Sequence, residues 1–248
     1  MAAEPPAPAI RLGTAGWSIP SAVADRFPGK GALLHRYAQN FPATEINSSF
    51  HRPHRRSTYE RWAAGTPDGF RFSAKLPKTI THTRKLVDVD EPLAAFAEKV
   101  AGLGDKLAVV LVQLPPSLAF QPAAADAFFA LLARRLPAAI ACEPRHASWF
   151  TPEADALLSR RRAARVAAHP VLVPGGEAPG GWPGLRYHRL HGAPRVYYSS
   201  YTDADLVALA GTLGAGDPAV PRWCVFDNTA SGAAAADALR LKSLLEQA

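Results

Sequence analysis

The residues best suited to chemistry lie at the ends of short apolar runs. Three such ends are Glu45-Ile46-Asn47, Glu143-Pro144-Arg145-His146 and Arg189-Leu190-His191. Alternate residues of a strand share a face, so each end would present two polar side chains to the same side. A pair of carboxylates can act as general acid and base, and guanidinium groups bind carboxylate or phosphate. The pattern predicts acid–base chemistry on a small anionic substrate.

Candidate roles follow from the side-chain types. The catalytic candidates are Glu45, Lys75, Glu143, His146 and His191. The substrate-binding candidates are Trp17, Asn47, His82, Gln113, Arg145, Arg189 and Asn228. The two glutamates would supply the acid and the base, a histidine would transfer protons near neutral pH, and the amides would orient the substrate. Asp227 is a further acid candidate, because alternation does not decide whether it or Asn228 faces inward.

Lys75 has two interpretations. A desolvated lysine with a depressed pKa can form a Schiff base with a carbonyl substrate. Glu45 would lie on the neighbouring strand and would instead hold the Lys75 ammonium charged. We expect this salt bridge, with Lys75, Arg145 and Arg189 holding the anionic group of the substrate.

Two other enzymatic chemistries remain open. Two carboxylates that bridge a sugar could hydrolyse a glycosidic bond, although few aromatic residues lie near the predicted site. Glu, His and Asp side chains could hold a divalent metal for a phosphoesterase or nuclease. However, the sequence has no His-x-His or His-Glu-x-x-His motif, and the neighbouring cations would repel the metal. We expect no cofactor, with a divalent metal as the minor alternative.

The charge of the chain raises a non-enzymatic alternative. The 248 residues include 28 Lys and Arg against 21 Asp and Glu, a formal net charge of +7. The densest basic runs are Arg52-Pro53-His54-Arg55-Arg56 and Arg160-Arg161-Arg162, and such patches attract phosphate backbones. No RNA-binding or recognition-helix motif accompanies either run. A nucleic-acid-binding or ligand-binding barrel without catalysis is therefore the alternative to an enzyme.

These polar residues need a fold that gathers the strand ends. Short apolar or β-branched runs alternate along the chain with helical patterns, which predicts parallel strands joined by helices. The predicted strands are 10–15, 44–47, 70–75, 107–113, 138–143, 165–168, 185–191 and 223–228. The predicted helices are 31–40, 56–64, 92–103, 123–135, 152–162, 203–213 and 233–246.

This alternation predicts an α/β fold, specifically a (β/α)8 TIM-type barrel with its site at the carboxyl ends of the strands. A Gly/Pro-rich loop over 174–184 replaces or shortens the sixth helix. No Gly-x-Gly-x-x-Gly loop follows the first strand, which disfavours a doubly wound sheet. We predict one domain over 10–248 and a disordered lead-in over 1–9.

Several classes of protein do not fit the composition. Cys142 and Cys224 are far apart, so neither a disulfide framework nor a zinc cluster is indicated. No run approaches the roughly 18 apolar residues of a membrane span. Residues 1–9 lack the basic and apolar regions of a signal peptide. We expect a cytoplasmic protein that makes no use of a membrane.

A family resemblance adds to this interpretation. The matching segments are Gly13-Thr14-Ala15-Gly16-Trp17, Glu45-Ile46-Asn47-Ser48-Ser49-Phe50, Phe72-Ser73-Ala74-Lys75, Thr81-His82, Gln113-Leu114-Pro115-Pro116, Glu143-Pro144-Arg145-His146-Ala147-Ser148-Trp149, Arg189-Leu190-His191-Gly192 and Asp227-Asn228-Thr229. In this order they resemble the successive signatures of the domain-of-unknown-function 72 family, the YecE-like proteins. The resemblance implies a TIM barrel and no established reaction.

Overall fold

The strands of the protein are short and nearly all parallel. The computed structural model describes residues 10–215 and 217–247, and the predicted lead-in over 1–9 lies outside these described residues. The strands are β1 (Ile10–Thr14), β2 (Ala43–Ile46), β3 (Arg71–Lys75), β4 (Leu107–Gln113), β5 (Ala139–Glu143), β6 (Ala163–Arg165), β7 (Ala167–His169), β8 (Gly180–Gly181), β9 (Arg186–Leu190) and β10 (Arg222–Phe226).

Helices alternate with these strands, which confirms the predicted α/β class. They are α1 (Leu33–Tyr37), α2 (Arg56–Ala64), α3 (Asp90–Val100), α4 (Pro122–Arg135), α5 (Pro152–Arg160), α6 (Asp203–Gly214) and α7 (Ala233–Gln247). Their starts have local causes. Thr151 accepts a hydrogen bond from the Ala154 amide at the start of α5, and Pro152 occupies the first turn. Thr202 and Asp205 form a reciprocal capping box at the start of α6.

The strands pair in two sheets. One has the order β1-β10-β9-β7 and is parallel throughout. The other has the order β2-β3-β4-β5-β6-β8, with only the β6–β8 pair antiparallel. A parallel bridge between Ala15 and Glu45 joins the end of β1 to β2. The two sheets therefore meet beside a predicted site residue.

The predicted sixth strand, 165–168, is longer than expected and is divided. Its first half, β6, pairs with β5, and its second half, β7, pairs with β9. Val166 separates the halves, and its amide still donates to the carbonyl of Cys142 on β5. The division arises because the chain changes its hydrogen-bonding partner from one sheet to the other.

The connection after this divided strand contains no helix in the described part of the chain. Residues 170–179 form a loop, and the two-residue β8 follows before β9 begins. The loop carries Pro170, Gly175 and Gly176, residues that disfavour a helix. The prediction that a Gly/Pro-rich loop replaces the sixth helix agrees with this arrangement.

Two apolar clusters lie on opposite faces of the strands. The larger one fills the space between the strands and the helices. The smaller one includes Ala43, Leu111, Ala141, Tyr187 and Val225. Because alternate residues share a face, the next inward positions along these strands are Glu45, Gln113, Glu143 and Arg189. Asp227 follows the end of β10 and joins them through its contact with Arg189. The polar ends of the strands thus continue the face that the smaller cluster occupies.

The close approach of β1 to β2 depends on one glycine. A Cβ atom at Gly13 would lie 2.1 Å from the carbonyl oxygen of Ala43. The Thr44 hydroxyl on β2 donates to the carbonyl of Thr14 across the same gap.

No described helix is long and apolar enough to cross a membrane.

Candidate functional site

A fully buried arginine organises the carboxyl ends of the strands. Arg189 on β9 holds Glu45 at two points, with Nη2 to Oε1 at 2.7 Å and Nε to Oε2 at 3.0 Å. Its Nη1 donates to Glu143 Oε2 at 2.6 Å, and its Nη2 donates to Asp227 Oδ2 at 3.0 Å. We call these four residues the Arg189 cluster. The N–H groups of one guanidinium are thus hydrogen-bonded to carboxylates from three different strand ends.

His191 connects two carboxylates of the cluster. Its Nδ1 lies 3.0 Å from Asp227 Oδ2, and its Nε2 lies 3.3 Å from Glu143 Oε1. Burial lowers the pKa of His191, but the charge of Glu143 and the contact with Asp227 outweigh burial and raise it. The protonated imidazole is therefore stabilised by a hydrogen bond from Nδ1 to Asp227 and by the nearby charge of Glu143, whereas Nε2 makes no hydrogen bond within the described residues.

Arg145 covers the outer side of Glu143. Its Nε and Nη2 donate to Glu143 Oε1 at 3.2 and 3.1 Å. Its Nη2 also lies 3.3 Å from the Tyr197 hydroxyl, which is partly exposed. The side chain of Arg145 is 18% exposed, whereas that of Glu143 is 2% exposed. Arg145 therefore lies between the buried Glu143 and the solvent.

The protonation of the carboxylates follows from these contacts. Burial would raise the pKa of Glu143, but Arg189, His191 and Arg145 hold it well below its ordinary value. Burial would also raise the pKa of Asp227, but Arg189 and His191 lower it, and the net pKa is below its ordinary value. The pKa of Arg189 is raised well above its ordinary value because its carboxylate partners outweigh burial. Glu143 and Asp227 are therefore ionised at neutral pH.

Lys75 stands apart from this pairing. Its side chain is 93% buried, and its Nζ lies 4.2 Å from the centre of the Phe50 ring. It forms no ion pair within the described residues, so the expected salt bridge to Glu45 is wrong. The reason is that Arg189 occupies both oxygens of Glu45. Burial, and then the charge of Arg189, lower the pKa of Lys75 to about 8.

His82 lies next to this lysine. It is carried by a π turn, Thr79–Thr83, and its ring packs edge-on against Phe50 at 4.9 Å. Burial, followed by the charges of Lys75 and Arg145, lowers the pKa of His82 to about 4. His82 is therefore neutral at pH 7, mainly because of burial, and the charges of Lys75 and Arg145 add to this effect.

Two amide candidates take different positions. Asn47 Nδ2 lies 3.4 Å from Asp227 Oδ1, at the edge of the Arg189 cluster. Gln113 is buried at the end of β4, where its Nε2 donates to the neighbouring carbonyl of Leu114. Asn47 can therefore orient a group at the cluster, whereas the amide nitrogen of Gln113 supports the local backbone.

Three predicted site residues have structural contacts away from the cluster. His146 accepts a hydrogen bond from the Ser148 amide and contacts the Ser148 hydroxyl, so it caps a short 3-10 turn. Asn228 is fully buried and donates to Asp237 of α7. Trp17 packs edge-on against Trp62 at 4.8 Å. The roles predicted for these side chains as proton carrier or substrate ligands find no support in their contacts.

Two residues that the sequence did not single out as sites contact the Arg189 cluster or its neighbour Arg145. The hydroxyl of Tyr187 donates to Glu45 Oε2 at 3.0 Å. Alternation along β9 could have identified it, because Tyr187 and Arg189 are two residues apart. Tyr197 lies in a loop with φ of +69°, and no pattern in the sequence places it beside Arg145.

The cluster does not form a metal centre of the usual kind. Within residues 10–215 and 217–247, no group of three or more His, Cys, Asp or Glu side chains is arranged to hold a metal ion. The central position among the three carboxylates is instead filled by the guanidinium of Arg189.

The fold and the cluster define an α/β protein with charged side chains gathered at the ends of parallel strands. The chain belongs to the family described as "Protein of unknown function DUF72", whose model matches residues 11–248. The resemblance noted from the sequence is thereby confirmed.

Curated relatives match over part of the chain. The UPF0759 protein YunF of Bacillus subtilis is 27% identical over 151 residues, which is 58% of this chain and 53% of YunF. The UPF0759 protein YecE of Escherichia coli K12 is 29% identical over 106 residues, 43% of this chain and 38% of YecE. The matched region thus spans about half or less of each relative's length.

Solved structures match over almost the whole chain. A DUF72 family protein from Enterococcus faecalis V583 has a TM-score of 0.78 and 22% identity, covering 96% of this chain and 95% of that one. A DUF72 family protein from Thermotoga maritima MSB8 has a TM-score of 0.77 and 23% identity, covering 96% and 99%. These likenesses establish a shared fold.

Proposed function

We propose that this chain is an enzyme that binds a small phosphorylated or carboxylated molecule beside the Arg189 cluster and acts on it by acid–base chemistry. The observation that carries the proposal is the state of Lys75. Lys75 is only 7% exposed at a strand end, whereas its Nζ is not fully buried and has no ion-pair partner among the described residues. An unpaired buried charge is costly, and an anionic ligand would remove that cost.

The charges around Lys75 favour an anion. Each carboxylate of the cluster already contacts Arg189, and His191 adds charge when it is protonated. Arg145 contacts Glu143 through one edge of its guanidinium and is partly exposed. The lowered pKa of His82 has the charges of Lys75 and Arg145 among its causes. Carboxylate and phosphate are the groups that such donors bind best.

The proposed proton transfers use His191 and Lys75. Glu143 has a pKa well below its ordinary value, so it holds and orients the imidazolium rather than donating a proton itself. Protonated His191 is then the candidate acid. Lys75, whose pKa is about 8 without a ligand, is charged when the anion is bound, so it holds the anionic group and is a second candidate proton donor. Glu45 holds Arg189 and Tyr187 in place.

The proposal includes closure of the two sheets into a (β/α)8 barrel. The Ala15–Glu45 bridge at one junction supports it. At the other junction, β6 and β7 belong to one extended segment, and each half pairs with a different sheet. Barrels of this type carry their sites at the carboxyl ends of the strands, where the Arg189 cluster lies.

A reducing, cytoplasmic setting is also part of the proposal. Cys142 and Cys224 are buried free thiols. Burial raises the pKa of both thiols, so neither is activated as a nucleophile. Free buried cysteines suit a compartment in which thiols remain reduced.

Inorganic phosphate and a set of phosphorylated and carboxylated metabolites test the proposal. We expect phosphate to raise the melting temperature of the wild type, and at least one metabolite to be turned over in an NMR assay. Lys75→Met should abolish both effects. The matched control is Lys242→Met, because Lys242 lies beside Ile10 and Leu12, at the opposite ends of the strands. Retention of the phosphate shift in Lys75→Met would refute the proposed anion site.

Nucleic-acid binding is the second candidate, favoured by one observation. Arg52 and Arg55 are exposed just after β2, the strand that ends at the cluster. An oligonucleotide would be held there by phosphate contacts, and its affinity would fall steeply with salt. In this case Arg52→Ala/Arg55→Ala should lose oligonucleotide binding, while Lys75→Met should keep it. Binding that is unaffected by the double substitution would exclude this surface.

A further inference from the structure

A cavity lies on the outer face of the strands, where the sixth helix is missing. It has a volume of about 230 Å³, is bordered by β7, β9, the loop over 170–179 and α6, and is open to solvent on one side. Crossover helices normally cover this face in parallel sheets. The loop covers it only in part, and the remaining space is the cavity.

The walls of the cavity are largely apolar. Leu190 of β9, Leu209 of α6 and Ala168 of β7 line it. An apolar cavity of about 150 Å³ is large enough for benzene. The volume here would therefore hold a single ring with a short substituent.

His188 supplies an unpartnered polar group to this cavity. The residue is 94% buried, lines the cavity and makes no side-chain hydrogen bond within the described residues. Burial, and then the charge of Arg186, lower the pKa of His188 to about 4, so the imidazole is neutral at pH 7. Neither ring nitrogen of His188 is fully buried within the described chain, so both are accessible to a bound molecule. A neutral imidazole nitrogen facing the cavity is an acceptor for a ligand.

The charges at the rim are negative. Glu177 of the loop and Asp205 of α6 both line the cavity. Hydrogen bonds from Thr202 lower the pKa of Asp205, which keeps it ionised. No Lys or Arg is among the residues that line the cavity in the described chain. Arg186, on the same face of β9 as His188, is directed to the carbonyl of Ala215.

We propose that this cavity is a second binding site, which takes a small organic amine with an apolar body. The apolar part lies against Leu190 and Leu209, the ammonium lies near Glu177 and Asp205, and an N–H donates to His188. The site is distinct from the Arg189 cluster, because His188 and Leu190 face outward on β9 while Arg189 faces inward. The proposal therefore does not depend on the chemistry proposed for the cluster.

Benzylamine is the probe, and phenylacetate and benzyl alcohol are its anionic and neutral counterparts. We expect benzylamine to bind the wild type saturably. Calorimetric titration measures this binding, and ¹H–¹³C NMR of the Leu190 and Leu209 methyl groups locates it. Ala208→Phe should abolish it, since Ala208 lines the cavity. Val207→Phe is the control, because Val207 is 56% exposed on the same helix and does not line the cavity. His188→Leu should weaken binding by roughly tenfold, the value of one hydrogen bond.

Each outcome bears on the proposal. Loss of binding in Ala208→Phe but not in Val207→Phe supports the cavity as the site. Equal binding by benzyl alcohol or phenylacetate would refute the amine assignment, because the acidic rim would then contribute nothing. The absence of saturable benzylamine binding to the folded wild type, or unchanged binding in Ala208→Phe, would overturn the site itself.

Discussion

Arg189 and Glu45 form a two-point ion pair in which both side chains are completely buried. The pair crosses from β9 to β2, so it ties one sheet to the other at the end where their strands finish. Arg189 also reaches Glu143 on β5. One guanidinium therefore stabilises the relative positions of residues that are more than 40 positions apart in sequence.

Removal of this arginine should destabilise the protein severely. In Arg189→Met, Glu45, Glu143 and Asp227 would lose their common partner, and breaking one buried pair costs on the order of 3–5 kcal/mol. We expect a decrease of at least that order in the free energy of unfolding, measured in urea. The control is Arg135→Met, which breaks an exposed pair with Asp90 and should cost less than about 1 kcal/mol. A similar small change in both variants would contradict the stabilising role of Arg189.

Acid should weaken the folded state through Glu143. Its pKa is lower in the folded protein than in the unfolded chain, so its contribution to stability is fully present above the unfolded value near pH 4.5. That contribution is lost as the pH falls through the lower, folded value. Urea unfolding between pH 7 and pH 3 should therefore show a steeper acid loss in the wild type than in Glu143→Gln. The exposed Glu98→Gln serves as control and should retain the wild-type slope.

Strand alternation was enough to predict much of the cluster. It placed Glu45 with Asn47, Glu143 with Arg145, and Arg189 with His191, because the side chains of a strand point alternately to its two faces. The same rule argues against His146, which follows Arg145 directly. The predicted helix starts at 56, 152, 203 and 233 coincide with the starts of α2, α5, α6 and α7.

Other features depend on contacts that a sequence pattern does not encode. Strand β10 ends at Phe226, so alternation no longer decides between Asp227 and Asn228. Lys75 lies over Phe50 because Arg189 already occupies Glu45, a competition between three distant segments. Tyr197 reaches Arg145 from a loop with positive φ. Each outcome is decided by tertiary geometry rather than by local preference.

The side chain of Lys75 should titrate far below an ordinary lysine. Burial and Arg189 lower its pKa to about 8, so ¹³C NMR of reductively methylated lysines should show one resonance with a midpoint near that value. Lys75→Arg should remove this resonance and leave the others. Phosphate should move the midpoint upward, because a bound anion stabilises the charged amine. A midpoint above 10 with no response to phosphate would contradict both the desolvation of Lys75 and its anion contact.

Asp227 and Asn228 are adjacent, but their substitutions should change different properties: stability for Asn228 and phosphate affinity for Asp227. Asn228 donates to the Ser199 carbonyl and to Asp237, so Asn228→Ala should lower the free energy of unfolding by about 1–3 kcal/mol. Its phosphate affinity should be unchanged, because its contacts lie away from the cluster. Asp227→Asn should instead tighten phosphate binding at pH 6.5, because it removes a negative charge whose field reaches Lys75. Calorimetric titration with phosphate compares the two variants, and a weakening confined to Asn228→Ala would assign Asn228, rather than Asp227, to the ligand side.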